Sequence, residues 1–394
     1  MVVHKSSDKK PSVVLDIGTA FTKAGYAGDD KPICIVRSKL DDVKGEQWLK
    51  DIQCPQELRR ALRKFLRIIY LRHLLVSMGD RSVIVCEQLL CPRSWKDALA
   101  HVLLIDYEVP AVVFAPRHLL SLYTLGITTG LVVHSGHSET LILPIYENMV
   151  LLRACQSMMV GGKFIEENIS SQLSETGRVD VRGELQPIED IKNVVTREQL
   201  EDIKVRTCFV TRFDRAQSLR AADQADGNKS AVPSVGSDIL YPLTGNMVLH
   251  IPGRLRETAC EQLFDSENSE HNLACLVLDS ILQCPIDSRR KLAGNIVLIG
   301  GNTMLPGFKH RLQQELKSLC KQPQYADRMV IDDFAFHKTV TENYAAWLGG
   351  AIFGASGRLD QYSVTRDEFE ALNYAVPDWS TYIPHPSTDY DTPV

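Results

Sequence analysis

Two stretches of the chain share one pattern of apolar and polar positions. Residues 13–28 (VVLDIGTAFTKAGYAG) and residues 131–146 (LVVHSGHSETLILPIY) each begin with an apolar run, reach a polar residue and a glycine, and continue into a second run. A β-branched run that ends at a glycine is typical of a strand entering a tight turn, so both stretches predict β-hairpins. Asp16 and His134 hold the same place in the two patterns. The repeat therefore predicts a duplicated fold with two related lobes.

An amphipathic helix is predicted over residues 58–72. Its apolar positions recur with the helical period and form one stripe: Leu58, Ala61, Leu62, Phe65, Leu66 and Ile69. The opposite side is basic and consists of Arg59, Arg60, Arg63, Lys64 and Arg67. We interpret this side as the solvated face of a helix that packs on the core, and a docking surface for an acidic partner is the alternative.

Further helices are predicted where apolar residues recur at helical spacing. One follows Gly161-Gly162 and the other begins at Pro306, with the following apolar positions: Phe164, Ile165, Ile169 and Leu173 in the first, and Phe308, Leu312, Leu316 and Leu319 in the second. Such alternation of strands and helices predicts an α/β protein with helices covering mixed sheets. Residues 221–238 are expected to form a mobile loop, and residues 376–394 a poorly ordered or partner-dependent tail.

Composition excludes several classes of protein. Apolar residues make up 44% and charged residues 24% of the 394 residues, which is a globular composition, and the net charge of −5 argues against a nucleic-acid binder. No apolar run approaches the length of a membrane span, and residues 1–10 lack the apolar core of a secretory signal. We therefore expect a cytoplasmic protein whose ten cysteines are reduced and mostly buried, without a zinc site.

The first predicted turn carries groups that suit an anion. A turn of small residues between two strands can point backbone N–H groups at a phosphate. Thr19 adds a hydroxyl, Lys23 a cation and Asp16 a carboxylate for hydrated Mg²⁺. Residues 300–303 (GGNT) follow an apolar strand and suggest a second nucleotide contact. A plain hairpin and an ordinary loop are the respective alternatives.

Together these elements resemble the actin superfamily. The motifs that carry the resemblance occur in the same order as in actin: residues 16–30 (DIGTAFTKAGYAGDD), 121–123 (SLY), 128–130 (TTG), 144–147 (PIYE), 300–307 (GGNTMLPG) and 347–350 (WLGG). The resemblance implies a two-lobed actin-like α/β fold of duplicated ribonuclease-H-like domains, with nucleotide in the cleft. It also implies four subdomains: residues 1–37, 58–124 and 339–394; a truncated second one at 38–57; a third at 125–160 and 269–338; and a fourth at 161–268.

The resemblance implies a set of nucleotide-binding positions. These would contact the phosphates, ribose or adenine of ATP or ADP, with Mg²⁺: Asp16, Gly18, Thr19, Lys23, Lys204, Gly300, Gly301 and Met304. Val205 stands where the family often has a ribose-binding glutamate, which weakens the expectation of tight binding.

The catalytic positions implied by the resemblance have changed. Arg117 replaces the glutamine that orients water, His134 and His137 replace two aspartates of the second phosphate loop, and Leu141 replaces a further histidine. Phosphoryl transfer depends on positioned water and on charge around Mg²⁺. We therefore predict no efficient ATP hydrolysis and no catalytic residues. Arg117 and the two histidines are hypothesised to replace Mg²⁺ in part as counter-charges for a static nucleotide. No metal site is expected, because the histidine pair lacks a third ligand.

Residues 38–57 are shorter than the corresponding actin segment, whose loop inserts into the neighbouring subunit. Residues 71–76 (LRHLLV), 90–92 (LCP), 283–287 (QCPID) and 346–354 (AWLGGAIFG) resemble one branch of the actin-related proteins, which lies at the pointed end of the dynactin filament. This implies a cytoskeletal cap that contacts actin-related filament subunits and other pointed-end subunits and does not polymerise with itself. The alternatives are an active actin-related ATPase of another cytoskeletal complex or a subunit of a chromatin-remodelling complex.

Overall fold

The computed structural model describes residues 10–42, 45–188, 194–226, 236–243, 245, 247–265, 272–329, 331, 333–339 and 341–377. The chain divides into two compact units. Unit 1 comprises Met1–Ile127 with Tyr344–Val394, and unit 2 comprises Thr128–Asn343. The finer division into four subdomains stays a prediction.

Seventeen strands occur within the described ranges. They are β1 Val13–Ile17, β2 Phe21–Tyr26, β3 Cys34–Arg37, β4 Lys39–Asp42, β5 Gly45–Trp48, β6 Val83–Glu87, β7 Ala111–Pro116, β8 Gly130–Ser135, β9 Thr140–Tyr146, β10 Met149–Val150, β11 Gln156–Met158, β12 Arg178–Val181, β13 Glu184–Pro187, β14 Ile239–Pro242, β15 Met247–Ile251, β16 Ile296–Ile299 and β17 Val364–Thr365.

The same residues contain fourteen α-helices. They are α1 Pro55–Ile68, α2 Arg93–His101, α3 Arg117–Tyr123, α4 Gly162–Thr176, α5 Arg197–Thr207, α6 Phe213–Asp226, α7 Gly253–Thr258, α8 Leu273–Gln283, α9 Ile286–Ala293, α10 Phe308–Leu319, α11 Pro323–Ala326, α12 Ala345–Ala355, α13 Leu359–Tyr362 and α14 Arg366–Ala371. Single turns of 3₁₀ helix include Leu49–Asp51 and Gly301–Met304.

Unit 1 is built on a six-stranded sheet with the order β17-β7-β6-β1-β2-β3. Strand β1 pairs antiparallel with β2 and parallel with β6, so its five residues are buried at the centre of the sheet. Helix α12 packs on α3 and on β1, and the indole Nε1 of Trp347 donates to the carbonyl of Val14 over 3.0 Å. The core of unit 1 therefore fixes the strand that carries Asp16.

Unit 2 contains two sheets. The first has the order β10-β9-β8-β16 with β11 also paired to β9, and the second has the order β13-β12-β15-β14. Strand β8 is buried along its whole length between the antiparallel β9 and the parallel β16. Helices α4, α8 and α10 contribute residues such as Ile169, Val277 and Leu312 to one continuous apolar cluster.

The predicted duplication is confirmed by the register of the two hairpins. Asp16 lies opposite Lys23 in β1–β2, and His134 lies opposite Leu141 in β8–β9. Both turns close with the same hydrogen bond over 2.9 Å, from Gly18 N to the Phe21 carbonyl and from Gly136 N to the Glu139 carbonyl. Each hairpin also has a parallel strand on its other side, β6 in unit 1 and β16 in unit 2.

The predicted helix with a basic side is confirmed as α1. All six residues of its apolar stripe are buried, and the five basic residues opposite are exposed. The helix begins at Pro55 and passes into a π-helical segment, Ile69–Leu74.

Two details of the other predicted helices are wrong. Phe164 is exposed, because the buried stripe of α4 runs through Ile165, Ile169 and Leu173, and Phe164 lies one position away from it. Pro306 does not open α10, since Gly307 adopts a φ of 89° and the helix begins at Phe308.

The segments expected to be loose differ from the prediction in part. Residues 221–226 belong to α6, and residues 227–235 lie outside the described residues. Val376 and Pro377 are described and Val376 is buried, whereas residues 378–394 lie outside the description.

Of the ten cysteines, which are all described, only four are buried: Cys86, Cys208, Cys260 and Cys284.

Residues 38–57 form a small structure before α1. Strands β4 and β5 pair as an antiparallel hairpin, and the 3₁₀ turn Leu49–Asp51 follows. Trp48 and Leu49 are buried and anchor the segment. In the described part of the chain, no helix is both long enough and apolar enough to cross a membrane.

Candidate functional site

The first turn centres on a buried carboxylate that lies between two cations. Asp16 is 2% exposed. Its Oδ1 accepts from Arg117 Nη2 at 2.6 Å, and its Oδ2 lies 3.2 Å from Lys23 Nζ. Each carboxylate oxygen therefore already faces a positive charge.

The sheet of unit 1 explains why these three side chains meet. Lys23 lies opposite Asp16 in the hairpin register. Arg117 is the first residue of α3, directly after β7, and β7 is separated from β1 only by β6. Because these strands end together, the first residue of α3 comes close to the end of β1. Arg117 is itself buried, and its Nη2 also approaches the Ile17 carbonyl at 3.5 Å.

The ionisation of Asp16 follows from this geometry. Burial alone raises the pKa of a carboxyl group. The charges of Arg117 and Lys23, together with their hydrogen bonds, outweigh burial and hold the pKa of Asp16 below its ordinary value of 3.8. The pKa of the neighbouring His118 is also lowered, to about 3, because burial and then the charge of Arg117 disfavour its protonated form.

A divalent cation does not fit the first turn. Hydrated Mg²⁺ needs an anionic oxygen that is free to face it. Both oxygens of Asp16 are engaged by cations, and the positive charge of Arg117 repels a metal ion at this position. Within the described ranges, no group of three or more His, Cys, Asp or Glu side chains is suited to hold a metal.

Gly18 and Thr19 form the tip of the first turn. Gly18 is partly buried, and a Cβ at this position would lie 2.7 Å from the Phe21 carbonyl oxygen, so the tight turn itself requires glycine. Thr19 is also only partly buried.

The second turn replaces the charged pair with His134 and Leu141. His134 is 8% exposed at the end of β8, and Leu141 opposite it is 1% exposed. Leu141 is therefore a core residue. A site equivalent to the Asp16–Lys23 pair is absent here because neither residue of this cross-strand pair is an acid or a lysine.

A second polar cluster joins His137 to helices α4 and α5. Glu166 of α4 accepts from Lys204 Nζ of α5 at 2.7 Å. His137 lies between two partners, with Nδ1 3.8 Å from Glu166 Oε1 and Nε2 3.3 Å from Arg197 Nη2. Burial raises the pKa of Glu166 above its ordinary value of 4.5, and the charge of Lys204 offsets this only in part.

Lys204 is therefore neutralised within unit 2. Its side chain is 9% exposed and that of Glu166 is 5% exposed. The adjacent Val205, at the position where the family often has a ribose-binding glutamate, points to solvent with 63% exposure. These contacts bring Lys204 and His137 together through Glu166, which the sequence alone did not indicate.

Gly300 lies where β16 meets β8. Its φ is 97°, and a Cβ added to it would overlap the carbonyl oxygen of Ser135. A Cβ added to Gly301 would have no atom within 4 Å. Met304 is half-exposed. The glycine pair thus has a structural reason at the first position only.

Asn302 supports the second turn and was missed by sequence reasoning. Its Nδ2 donates to the Gly136 carbonyl over 2.7 Å and to Ser135 Oγ over 3.2 Å. The motif GGNT contained the signal, but the interpretation rested on its glycines. Glu166 and Arg197 were missed because their contacts, with Lys204 and His137 respectively, join separate segments of the chain and leave no local pattern.

Comparison with known proteins agrees with this architecture. A buried hairpin with a parallel neighbouring strand, repeated in two units, defines a duplicated α/β protein. Residues 56–375 match the family model described as Actin. The chain belongs to the actin family and has the actin-like fold.

Individual relatives are similar at low identity over most of their length. The chain is 27% identical to "Actin-related protein 10" of Dictyostelium discoideum, covering 94% of this chain and 90% of that protein. It is 26% identical to "Putative actin-29" of the same organism, covering 91% and 94%. It is 27% identical to "Actin-like protein 7A" of Bos taurus, covering 91% and 81%.

Proposed function

We propose that the chain is a non-catalytic structural subunit that caps the pointed end of the actin-related filament of dynactin and so supports dynein-driven movement along microtubules. It would lie in the cytoplasm as part of the cytoskeleton. Its partners would be actin-related filament subunits on one side and other pointed-end subunits on the other. The similarity to a protein named actin-related protein 10 supports this branch of the family.

The observation that carries the non-catalytic part is the 2.6 Å ion pair between Arg117 and Asp16. Phosphoryl transfer in this family needs a metal ion and an oriented water molecule. Here the guanidinium of Arg117 is bound to the carboxylate of Asp16, which would otherwise face the metal ion. A fixed positive charge at this position orients no water as a base.

The short segment before α1 supports the capping part. A head-to-tail filament grows only while each subunit presents both of its complementary faces. Residues 38–57 hold one small hairpin and one 3₁₀ turn. A subunit that lacks the longer inserting loop can join an end of a filament and leave no surface for the next subunit.

Imaging of the native assembly tests the position of the subunit. We expect one copy, at the pointed terminus of a short filament. Copies along the length of a filament, or a native complex without such a filament, would contradict the proposal.

Nucleotide chemistry is tested separately on the purified chain. We expect phosphate release from ATP to stay at background with or without Mg²⁺. Steady turnover above background would instead support an actin-related ATPase. Calorimetry with ATP in the presence and absence of Mg²⁺ examines the static nucleotide, and strictly Mg²⁺-dependent binding would exclude Arg117 and the histidines as its counter-charges.

A further inference from the structure

The outer side of α1 is an exposed basic surface. Five basic residues form it and are defined here as the basic face: Arg59, Arg60, Arg63, Lys64 and Arg67. The helix contains one acidic residue, Glu57. Arg63 pairs with Asp106 at 2.6 Å, whereas Arg59, Arg60 and Arg67 make no ion pair with any residue in the part of the chain that the structure describes.

Exposed apolar side chains continue this surface. Ile68 is 37% exposed, Leu71 is 47% exposed and Leu75 is 77% exposed. Ile68 follows Lys64 by four positions in α1, so the two lie on the same side of the helix. Leu71 and Leu75 lie in and directly after the π-helical segment that continues α1. A ligand that combines negative charge with apolar side chains would match both parts.

The described chain ends on α2, the helix that packs against α1. Val376 N donates to Asp97 Oδ1 over 2.9 Å, and Lys96 Nζ donates to the Pro377 carbonyl over 3.2 Å, which fixes the end of the described chain on α2. Helix α2 packs against α1. The ring of His101 in α2 lies against that of Tyr374 in a tilted contact, with ring centroids 5.9 Å apart.

His101 also connects this end to the basic face. Burial lowers the pKa of His101, and the nearby charge of Arg59 lowers it further. The same imidazole thus lies beside Tyr374 and within the field of Arg59.

The 17 residues that follow Pro377 have complementary chemistry. Residues 378–394 (DWSTYIPHPSTDYDTPV) contain three aspartates and no Lys or Arg, with four large apolar or aromatic residues. An extended chain spans about 3.3 Å per residue, so this segment reaches roughly 55 Å. The 14 residues of α1 extend only about 21 Å. The segment is long enough to cover the whole basic face.

We propose that the basic face of α1, with its apolar border, is the docking site for the acidic segment 378–394 of the same chain. Charge complementarity and the departure of the chain at Pro377 favour this occupant over an acidic segment of another protein. The inference does not depend on the capping function.

Cross-linking of the full-length chain tests the contact directly. A carbodiimide joins an amine to a carboxylate that touches it, so Lys64 should couple to Asp378, Asp389 or Asp391. High ionic strength should suppress the product, because exposed charges are screened. Lys31, an exposed lysine of the same unit outside the basic face, serves as the internal control and should not couple to these aspartates.

A peptide experiment distinguishes the occupants. Labelled peptide 378–394 is titrated into full-length chain whose own tail carries D378N, D389N and D391N. We expect saturable binding that weakens by about tenfold or more when Arg59, Arg60 and Arg67 are changed to Gln. The matched control changes three exposed basic residues elsewhere, Lys31, Arg328 and Arg358, to Gln and should leave binding unchanged.

Two results would overturn the proposal. Peptide binding that is equal in the two triple variants would show that the basic face is not the site. Peptide binding at the basic face without the Lys64 cross-link in the full-length chain would show that the face takes an acidic segment from another molecule. Circular dichroism of each variant confirms that the exposed substitutions leave the fold intact.

Discussion

A nucleotide phosphate would have to compete with a carboxylate for each lysine that the sequence offered it. Lys23 lies 3.2 Å from Asp16, and Lys204 lies 2.7 Å from Glu166. The first pair lies within unit 1 and the second within unit 2. Both pairs are mostly shielded from water, so the attraction in each is stronger than it would be at the surface. At the scale of the residue, the charges of both candidate subsites are thus balanced by the protein itself.

Arg117→Gln should destabilise unit 1. The substitution leaves Asp16 buried with Lys23 as its remaining cation. Breaking a buried pair by removing one partner costs about 3–5 kcal/mol, and retention of Lys23 should place the loss near the lower end. Urea-induced unfolding followed by circular dichroism measures the change. The triple variant D16N/K23Q/R117Q should recover much of the loss, since it removes all three charges together, and a triple variant no more stable than R117Q would contradict this account.

Glu166 should make stability fall as the pH rises, because burial raises its pKa in spite of its ion pair with Lys204. Its pKa in the folded protein is raised above the ordinary 4.5, so the folded state holds a proton that the unfolded state has released. Stability from this group therefore falls as the pH rises from 4.5 through the raised pKa. The melting temperature of the wild type minus that of Glu166→Gln should decrease over this range. Glu167→Gln, at the adjacent exposed position, should follow the wild type, and a constant wild-type-minus-E166Q difference would be inconsistent with the raised pKa.

At the scale of elements, the close approach of β16 to β8 depends on one glycine. Gly300 combines a φ of 97° with a Cβ position that overlaps the Ser135 carbonyl. A Cβ added to the neighbouring Gly301 would have no atom within 4 Å. Adjacent glycines of one motif thus have different structural requirements.

Gly300→Ala should destabilise unit 2 by about 3 kcal/mol or more, since backbone strain and a steric overlap act together. Gly301→Ala should change stability by no more than about 0.5 kcal/mol. Thermal unfolding of both variants measures the difference. A loss of stability in Gly300→Ala as small as that in Gly301→Ala would mean that the strand ends can separate without penalty.

The sequence predicted those elements whose pattern is local. The hairpins around Asp16 and His134 follow from apolar runs and turn glycines, and α1 follows from its apolar stripe. The start of α10 could not be predicted in this way. Val210 N donates to the Pro306 carbonyl over 2.8 Å, and this contact from a distant segment accompanies the left-handed Gly307 that delays the helix.

The candidate site was less predictable than the fold for the same reason. The sequence indicated Asp16, Lys23 and Arg117 one by one, but their ion pairs depend on the order of strands in the sheet. Glu166 makes its decisive contact with Lys204, which lies 38 positions further along the chain. Asn302 makes its decisive contact with Gly136, which lies 166 positions earlier. Neither contact leaves a periodic signal in the chain.

At the scale of the whole molecule, the capping proposal predicts how the chain acts on a filament. A subunit with one filament-forming face binds an end and stops growth there. Because ends are few compared with subunits, the purified chain should block pointed-end elongation of actin-related filaments at concentrations far below that of the filament subunits. It should not sediment as a polymer by itself. Elongation of seeds capped at the opposite end, followed by single-filament microscopy, measures pointed-end growth alone. Seeds capped at the pointed end provide the matched control, in which the chain should have no effect. Incorporation along filaments, or sedimentation of the chain alone in polymerising salt, would show that residues 38–57 leave the second face functional.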